Sequence, residues 1–193
     1  TASARFQKVA DDNPGTDAAI NASFLAASSL FDERAYDKAT TAFEKFYSSN
    51  QANALAPAAI FGAAASRDAA SQAEGAFKWY QSVISQFPSS PEATQSRVAL
   101  AKLYLAKSTP DTDKAKALLD EVAKDGQAGM IPGFWHREAM RLSDSLEPKD
   151  EVIEVPIKPE EPGAPKKSEQ SGKPAKQPEK SDPVPKKEEQ EKK

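Results

Sequence analysis

His136 is the only histidine of the chain, and histidine is the side chain best suited to general acid–base catalysis near neutral pH. It stands in the stretch FWHRE, and the chain has no cysteine and no second histidine to complete a nucleophile–base pair or a metal site. A lone histidine beside Trp135 more often packs on a helix. An enzyme that uses His136 is therefore only a remote alternative, and we expect no catalytic residue, no metal and no cofactor.

Carboxylates and phosphate-binding loops give no stronger indication of chemistry. Neither GxGxxG nor GxxxxGK occurs in the sequence, so no loop is indicated that would cradle a phosphate. The adjacent acidic pairs are expected at helix ends or on exposed faces, where a solvated charge is the ordinary role: Asp11–Asp12, Asp32–Glu33 and Asp120–Glu121. No nucleophile is placed beside a base.

Composition divides the chain into a body and a tail. Of the 15 prolines, nine lie between Pro148 and Pro185, and Leu, Phe, Trp, Met and Tyr all stop at Leu146. We predict a folded domain over 1–146 and a disordered tail over 147–193. The 26 basic and 29 acidic residues give a net charge of -3 with no basic stripe, so no nucleic-acid partner is expected.

Small residues recur along the body with a period near 37, which predicts a repeat architecture. One series is spaced by 37, 37 and 39 residues: Ala2, Ala39, Ala76 and Ala115. Each member is followed four positions later by a large apolar residue: Phe6, Phe43, Tyr80 or Leu119. Seven positions later stand Val9, Phe46, Val83 or Val122. A second series of small residues has four members: Ala27, Ala64, Ala101 and Ala139. The first three precede Ala39, Ala76 and Ala115.

These offsets share one face of an α-helix, so each segment is predicted to be an amphipathic helix that another helix approaches at the alanine. The turn signals lie between these faces, and Ser89 with Glu92 has the spacing of a capping box before Pro91. We predict helices near 1–12, 16–33, 35–49, 54–70, 73–87, 91–106, 111–124 and 132–146.

The pattern resembles the tetratricopeptide repeat (TPR), in which a helix A and a helix B form each repeat. The second repeat matches at Ile60, Ala63, Ala64, Ala76, Tyr80, Val83 and Pro88, and departs at Arg67, where the family has an apolar residue. The resemblance implies an all-α, right-handed superhelical solenoid: a half repeat, three repeats and a closing helix.

Within this family, four positions of helix A face a concave groove that binds partners. The residues carried over as a partner-binding groove are Phe24, Ser28, Phe31, Phe61, Asp68, Val98, Lys102, Leu105, His136 and Met140. The resemblance implies a non-enzymatic protein–protein interaction scaffold that docks a partner segment there. The alternative for each ring is burial between neighbouring A helices. A clamp for a partner's terminal carboxylate is not expected, because Phe24 and Ser28 replace the lysine and asparagine it uses.

The turns PGTDAA and PSSPEA are similar to those of bacterial cell-envelope TPR proteins, such as the ancillary SecYEG translocon subunit family. That likeness implies a location on the periplasmic side of the inner membrane, with a membrane tether upstream of Thr1. The alternative is a cytoplasmic location. The identity of the protein partner is not indicated.

Two further hypotheses concern the ends of the chain. The half repeat at Thr1 leaves Phe6 and Val9 without a partner helix, so a structural homo-oligomerisation module is the alternative function. In the tail, the segment 150–159, DEVIEVPIKP, holds an apolar island that would add as a strand to a partner's sheet. The other interpretation of the tail is a solvated spacer.

Overall fold

The computed structural model describes residues 1–127 and 133–147, and every regular element within them is an α-helix. The eight predicted helices are confirmed, and the largest difference is that α7 ends at Gln127 rather than near 124. The predicted tail, apart from Glu147, and its segment 150–159 lie outside the described residues. The helices are α1 (Ala2–Asp12), α2 (Asp17–Asp32), α3 (Tyr36–Ser49), α4 (Ala56–Ala69), α5 (Ala73–Gln86), α6 (Pro91–Leu105), α7 (Thr112–Gln127) and α8 (Phe134–Leu146).

Each helix packs on the next one along the chain, as in a solenoid. The helices α2, α4, α6 and α8, hereafter the A helices, also contact one another in succession, α2 with α4, α4 with α6 and α6 with α8. In the described part of the chain, no such contact joins the B helices α1, α3, α5 and α7. The A helices therefore lie closer together and line the inner face of the stack.

Buried alanines mark the points where helices meet. All four members of the second alanine series are fully buried, and so are three members of the first, Ala39, Ala76 and Ala115. Without a larger side chain, each permits the backbones to approach closely. Ala2 differs, because α1 contacts only α2 and this alanine stays exposed, as does Val9 at 43%.

The turns from α2 to α3 and from α4 to α5 repeat the same geometry 37 residues apart. Arg34 and Ser71 adopt positive φ angles of 60° and 61°. At the first turn, the amide of Arg34 donates to the carbonyl of Phe31 and that of Ala35 to Leu30, both at 2.9 Å. Ser71 and the residue after it make the matching bonds. This is the Schellman end of a helix, built here without the usual glycine.

Hydroxyl side chains cap the starts of α1, α2 and α6, and the cap of α6 differs from the prediction. The hydroxyl of Ser90 accepts the amide of Ala93 at 3.1 Å, so Ser90 caps α6 and Pro91 occupies its first turn. The predicted capping box of Ser89 with Glu92 is therefore wrong by one residue. Its consequence is that the Glu92 carboxylate is not committed to capping.

Arg67 occupies a position where the resemblance to the tetratricopeptide repeat implies an apolar residue, and its contacts are polar as well as apolar. Its guanidinium donates to the carboxylate of Glu44 on α3 at 2.7 Å and to the side chain of Gln72 at 3.4 Å. Its aliphatic stem lies against Gly75 of α5, where an added Cβ would meet the Cδ atom at 2.9 Å. Arg67 on α4 thus contacts α3 through an ion pair and α5 through its aliphatic stem.

Candidate functional site

A pocket of about 340 Å³ opens on the inner face, where α4 lies between α2 and α6. We call it the groove pocket. It brings together four of the predicted groove residues, Phe24, Ser28, Phe31 and Phe61. Its lining also includes Ala58 and Ala65 of α4 and Gln95 of α6, which stand at further groove-facing positions that the resemblance implies. Four lining residues were not indicated by the sequence: Asp32 from α2, Phe43 from α3, Gly62 from α4 and Glu92 from α6.

The rings of the pocket are held by the core but are not enclosed in it. Phe24 meets Phe43 and Phe46 edge to face, with centroid separations of 5.7 and 5.4 Å. Phe61 lies 5.7 Å from the ring of Tyr80. Phe24, Phe31 and Phe61 are each half-buried, so one side packs inward while the remaining surface lines the pocket. Each of these rings is therefore partly buried between helices and partly exposed in the groove pocket.

Gly62 gives the pocket its floor. A Cβ at this position would stand 2.6 to 2.7 Å from three atoms of the Phe43 ring, which is too close for any real contact. The ring of Phe43, which is only 4% exposed, therefore reaches from α3 to the backbone of α4 through the space that glycine leaves. A helix-interior glycine has this packing role at a cost in helix propensity.

Two carboxylates stand at the edge of this apolar floor. Asp32 is the last residue of α2 and Glu92 lies in the first turn of α6. Neither forms an ion pair or hydrogen bond with another residue in the described ranges, and the lining contains no lysine or arginine. The groove pocket thus combines aromatic surface with two carboxylates that no basic side chain of its lining neutralises.

The predicted residues on α6 do not join this pocket. Val98 is fully buried in the core and offers no surface to a partner, and Leu105 packs against the same cluster. Lys102 donates to Glu138 of α8 at 3.1 Å, and Arg141 donates to the same carboxylate at 3.0 Å. Hydrogen bonds from Arg141 and then Lys102 lower the pKa of Glu138 to about 2. The charge of Lys102 is therefore already balanced within the fold.

Asp68, near the end of α4, lies close enough to the phenol of Tyr80 on α5 for the two groups to interact. Burial raises the pKa of Tyr80, and the negative charge of Asp68 raises it further. The pKa of Asp68 is itself raised by loss of water, an effect that the interaction with Tyr80 opposes. Because Asp68 does not line the groove pocket, its role in the structure is to pair with this buried phenol.

His136 and Met140 lie on α8, apart from the groove pocket. His136 is half-buried beside Gly133, and its Nδ1 atom has no hydrogen-bond partner within the described ranges. Met140 is 40% exposed. In the same ranges, no group of three or more His, Asp or Glu residues is placed to hold a metal ion.

A larger cavity of about 470 Å³ lies between the start of α5 and the end of α6, lined in part by Phe77, Leu103 and Lys107. The ammonium group of Lys107 lies 4.6 Å from the ring centroid of Tyr104 and 5.4 Å from that of Phe77. The Lys107 ammonium group thus lies over both rings, and its charge interacts with them within the protein. The groove pocket has no such internal cover, so we take it as the candidate site.

The sequence contained signals for some of the residues that it did not identify. Gly62 stands within a predicted helix, where glycine indicates a close approach by another group, here Phe43. Asp32 directly follows the predicted groove residue Phe31. Glu92 carried no such signal, because its spacing from Ser89 suggested a capping role instead.

Comparison of the sequence with protein-family models and with curated proteins finds no match. In the described residues, no helix has both the length and the apolar character that crossing a membrane requires.

Proposed function

We propose that the chain is a non-enzymatic protein–protein interaction scaffold that docks a segment of a partner protein on the inner face of its A helices. The groove pocket carries this proposal, since Phe24, Phe31 and Phe61 pack against the core and still keep part of their surface exposed. Apolar surface with a polar rim is typical of protein interaction sites. Burying the rest of each ring would contribute about 1 kcal/mol to binding.

The docked segment would be helical or extended, with one or two apolar side chains as anchors. The pocket volume of about 340 Å³ lies near the lower end of the range of about 300–1,000 Å³ that ligand sites span. It suits a side-chain anchor better than a large cofactor. Docking of this kind proceeds through apolar contacts and needs no covalent step.

Affinity purification of the full chain from cells of its source tests this proposal. Phe61→Glu places a charge among the rings, and Ser28→Trp fills the pocket without adding charge. We expect both variants to lose a partner that the unaltered chain and the control Thr41→Glu, on the exposed face of α3, retain. Circular dichroism checks the fold. Retention of every partner by a folded Ser28→Trp variant would reject docking in the groove pocket.

We further propose that the stack is a right-handed superhelix of the tetratricopeptide type. Support comes from the buried alanines at matched positions of successive helix pairs and from the repeated turns at Arg34 and Ser71. A crystal structure tests it, since a left-handed stack would reject the assignment. For location, we propose the periplasmic side of a bacterial inner membrane, on the likeness of the two turns alone. Recovery of the chain in the cytosolic fraction of its source cells would contradict this.

A second candidate function is self-association through α1. The outer face of α1 exposes Ala2 and 43% of Val9, whereas the equivalent Phe46, Val83 and Val122 are buried. A second copy could cover this face. Sedimentation equilibrium would then show a concentration-dependent dimer that Val9→Glu abolishes. A monomer at all concentrations would reject this alternative.

A further inference from the structure

The charge around the groove pocket indicates what kind of segment would fit it. Asp32 belongs to α2 and Glu92 to α6, and α4, which carries Phe61, lies between these helices. An occupant that covers the rings would therefore pass one carboxylate on each side. The lining supplies no cation to balance either one.

Asp32 is also unfavourably placed for the protein alone. As the last residue of α2, it lies at the negative end of the helix dipole, where a basic residue would be preferred. The last turn of α2 contains no basic residue. A cation supplied by an occupant would interact favourably both with this carboxylate and with the carbonyl end of the helix.

We propose that the groove pocket binds a segment of a partner protein in which an apolar side chain is flanked on both sides by lysine or arginine. The inference rests on the proposed scaffold function and specifies its partner. The apolar residue enters between Phe24, Phe31 and Phe61, and the flanking cations face Asp32 and Glu92. An acidic segment would be repelled, and a cation without an apolar neighbour would leave the rings uncovered.

A phage-displayed library of random peptides, selected on the immobilised full chain, is the probe. We expect enrichment of peptides with a central Leu, Ile, Phe or Met and basic residues on both sides. Affinity of the most enriched peptide is then measured by fluorescence anisotropy. Raising the ionic strength from about 0.1 M to about 1 M shortens the Debye length from about 10 Å to about 3 Å and should weaken binding.

The double variant Asp32→Asn/Glu92→Gln removes both charges while preserving size. Each exposed ion pair that is lost should weaken binding about two- to fivefold, and the dependence on salt should largely disappear. The control Asp12→Asn/Glu74→Gln removes two charges from B helices, again one in a last turn and one in a first turn, and should leave binding unchanged.

The outcomes separate this inference from the function on which it rests. Apolar peptides with no basic preference, whose binding Ser28→Trp abolishes, would retain the scaffold and overturn the inference. Peptides whose binding a folded Ser28→Trp variant retains would reject the groove pocket altogether, as would an absence of enriched peptides. A photo-crosslinker at position 61 of the purified chain tests two other occupants. Capture of residues 148–193 of the same chain, or of a second copy, would show that this occupant fills the groove pocket and would overturn the proposed partner segment.

Discussion

Replacing Gly62 by alanine adds one methyl group beneath the Phe43 ring. That methyl carbon would stand 2.6 to 2.7 Å from three ring atoms, whereas an unstrained carbon contact is about 3.5 to 4.0 Å. The ring must therefore move by about 1 Å. Phe43 is 4% exposed and held edge to face by Phe24, so the movement disturbs packed neighbours.

Two opposing terms set the magnitude. Alanine in place of glycine within a helix contributes about 1 kcal/mol of stability. Overpacking a well-filled site costs about 1 to 3 kcal/mol. Gly62→Ala should therefore leave the free energy of unfolding unchanged or lower it by up to about 2 kcal/mol.

Gly75→Ala is the matched control, because it makes the same change within α5. Its new methyl group would meet the Cδ atom of Arg67 at 2.9 Å, but this side chain is partly exposed and can shift at a smaller cost than the buried Phe43 ring, because only its contacts with Glu44 and Gln72 have to adjust. The control should raise stability by up to about 1 kcal/mol. Urea unfolding followed by far-ultraviolet circular dichroism compares the two. If Gly62→Ala proves as stable as Gly75→Ala, Phe43 does not rest on Gly62 as described.

Three further changes test other parts of the structure. Ser71→Gly should stabilise the chain by up to about 1 kcal/mol, because glycine adopts the positive φ of this position without strain. The control Ser48→Gly, within α3, should destabilise the chain. The opposite order of the two variants in thermal unfolding would reject the turn geometry. Glu138→Gln removes a carboxylate whose pKa is lowered to about 2. The stability that this charge contributes is present above about pH 4.5 and is lost as the pH falls toward 2. The unaltered chain should therefore lose stability more steeply over that pH window than the variant. Parallel pH profiles of the two proteins would contradict the ion pairs of Glu138. Ala76→Leu should cost about 1 to 3 kcal/mol in urea unfolding by overpacking a fully buried crossing, and no loss would show that the crossing has room.

The helices and their order could be predicted from the sequence because helix packing repeats. Alanines at matched intervals, with large apolar residues four and seven positions on, identify each contact face without knowledge of the neighbour. Ala2 shares this pattern but is exposed, since a local pattern cannot show whether a second helix covers it. The cap of α6 was misplaced by one residue because Ser89 and Ser90 are both able to cap.

Part of the lining of the groove pocket could also be predicted, from the matching positions of successive A helices. Phe24, Ser28, Phe31 and Phe61 follow from the register of successive A helices. Val98 has the same register but is buried, because neighbouring helices at that level close over it. Asp32 directly follows Phe31 and so had a signal in the sequence, whereas Glu92 enters the pocket through the three-dimensional placement of the start of α6, which no spacing along the chain encodes.

A crystal structure of the full chain with its most enriched peptide would show directly whether the groove pocket binds such a segment. We expect an apolar peptide side chain between Phe24, Phe31 and Phe61, with basic residues beside Asp32 and Glu92. A peptide seated on the B helices, or on the outer face of α1, would contradict it.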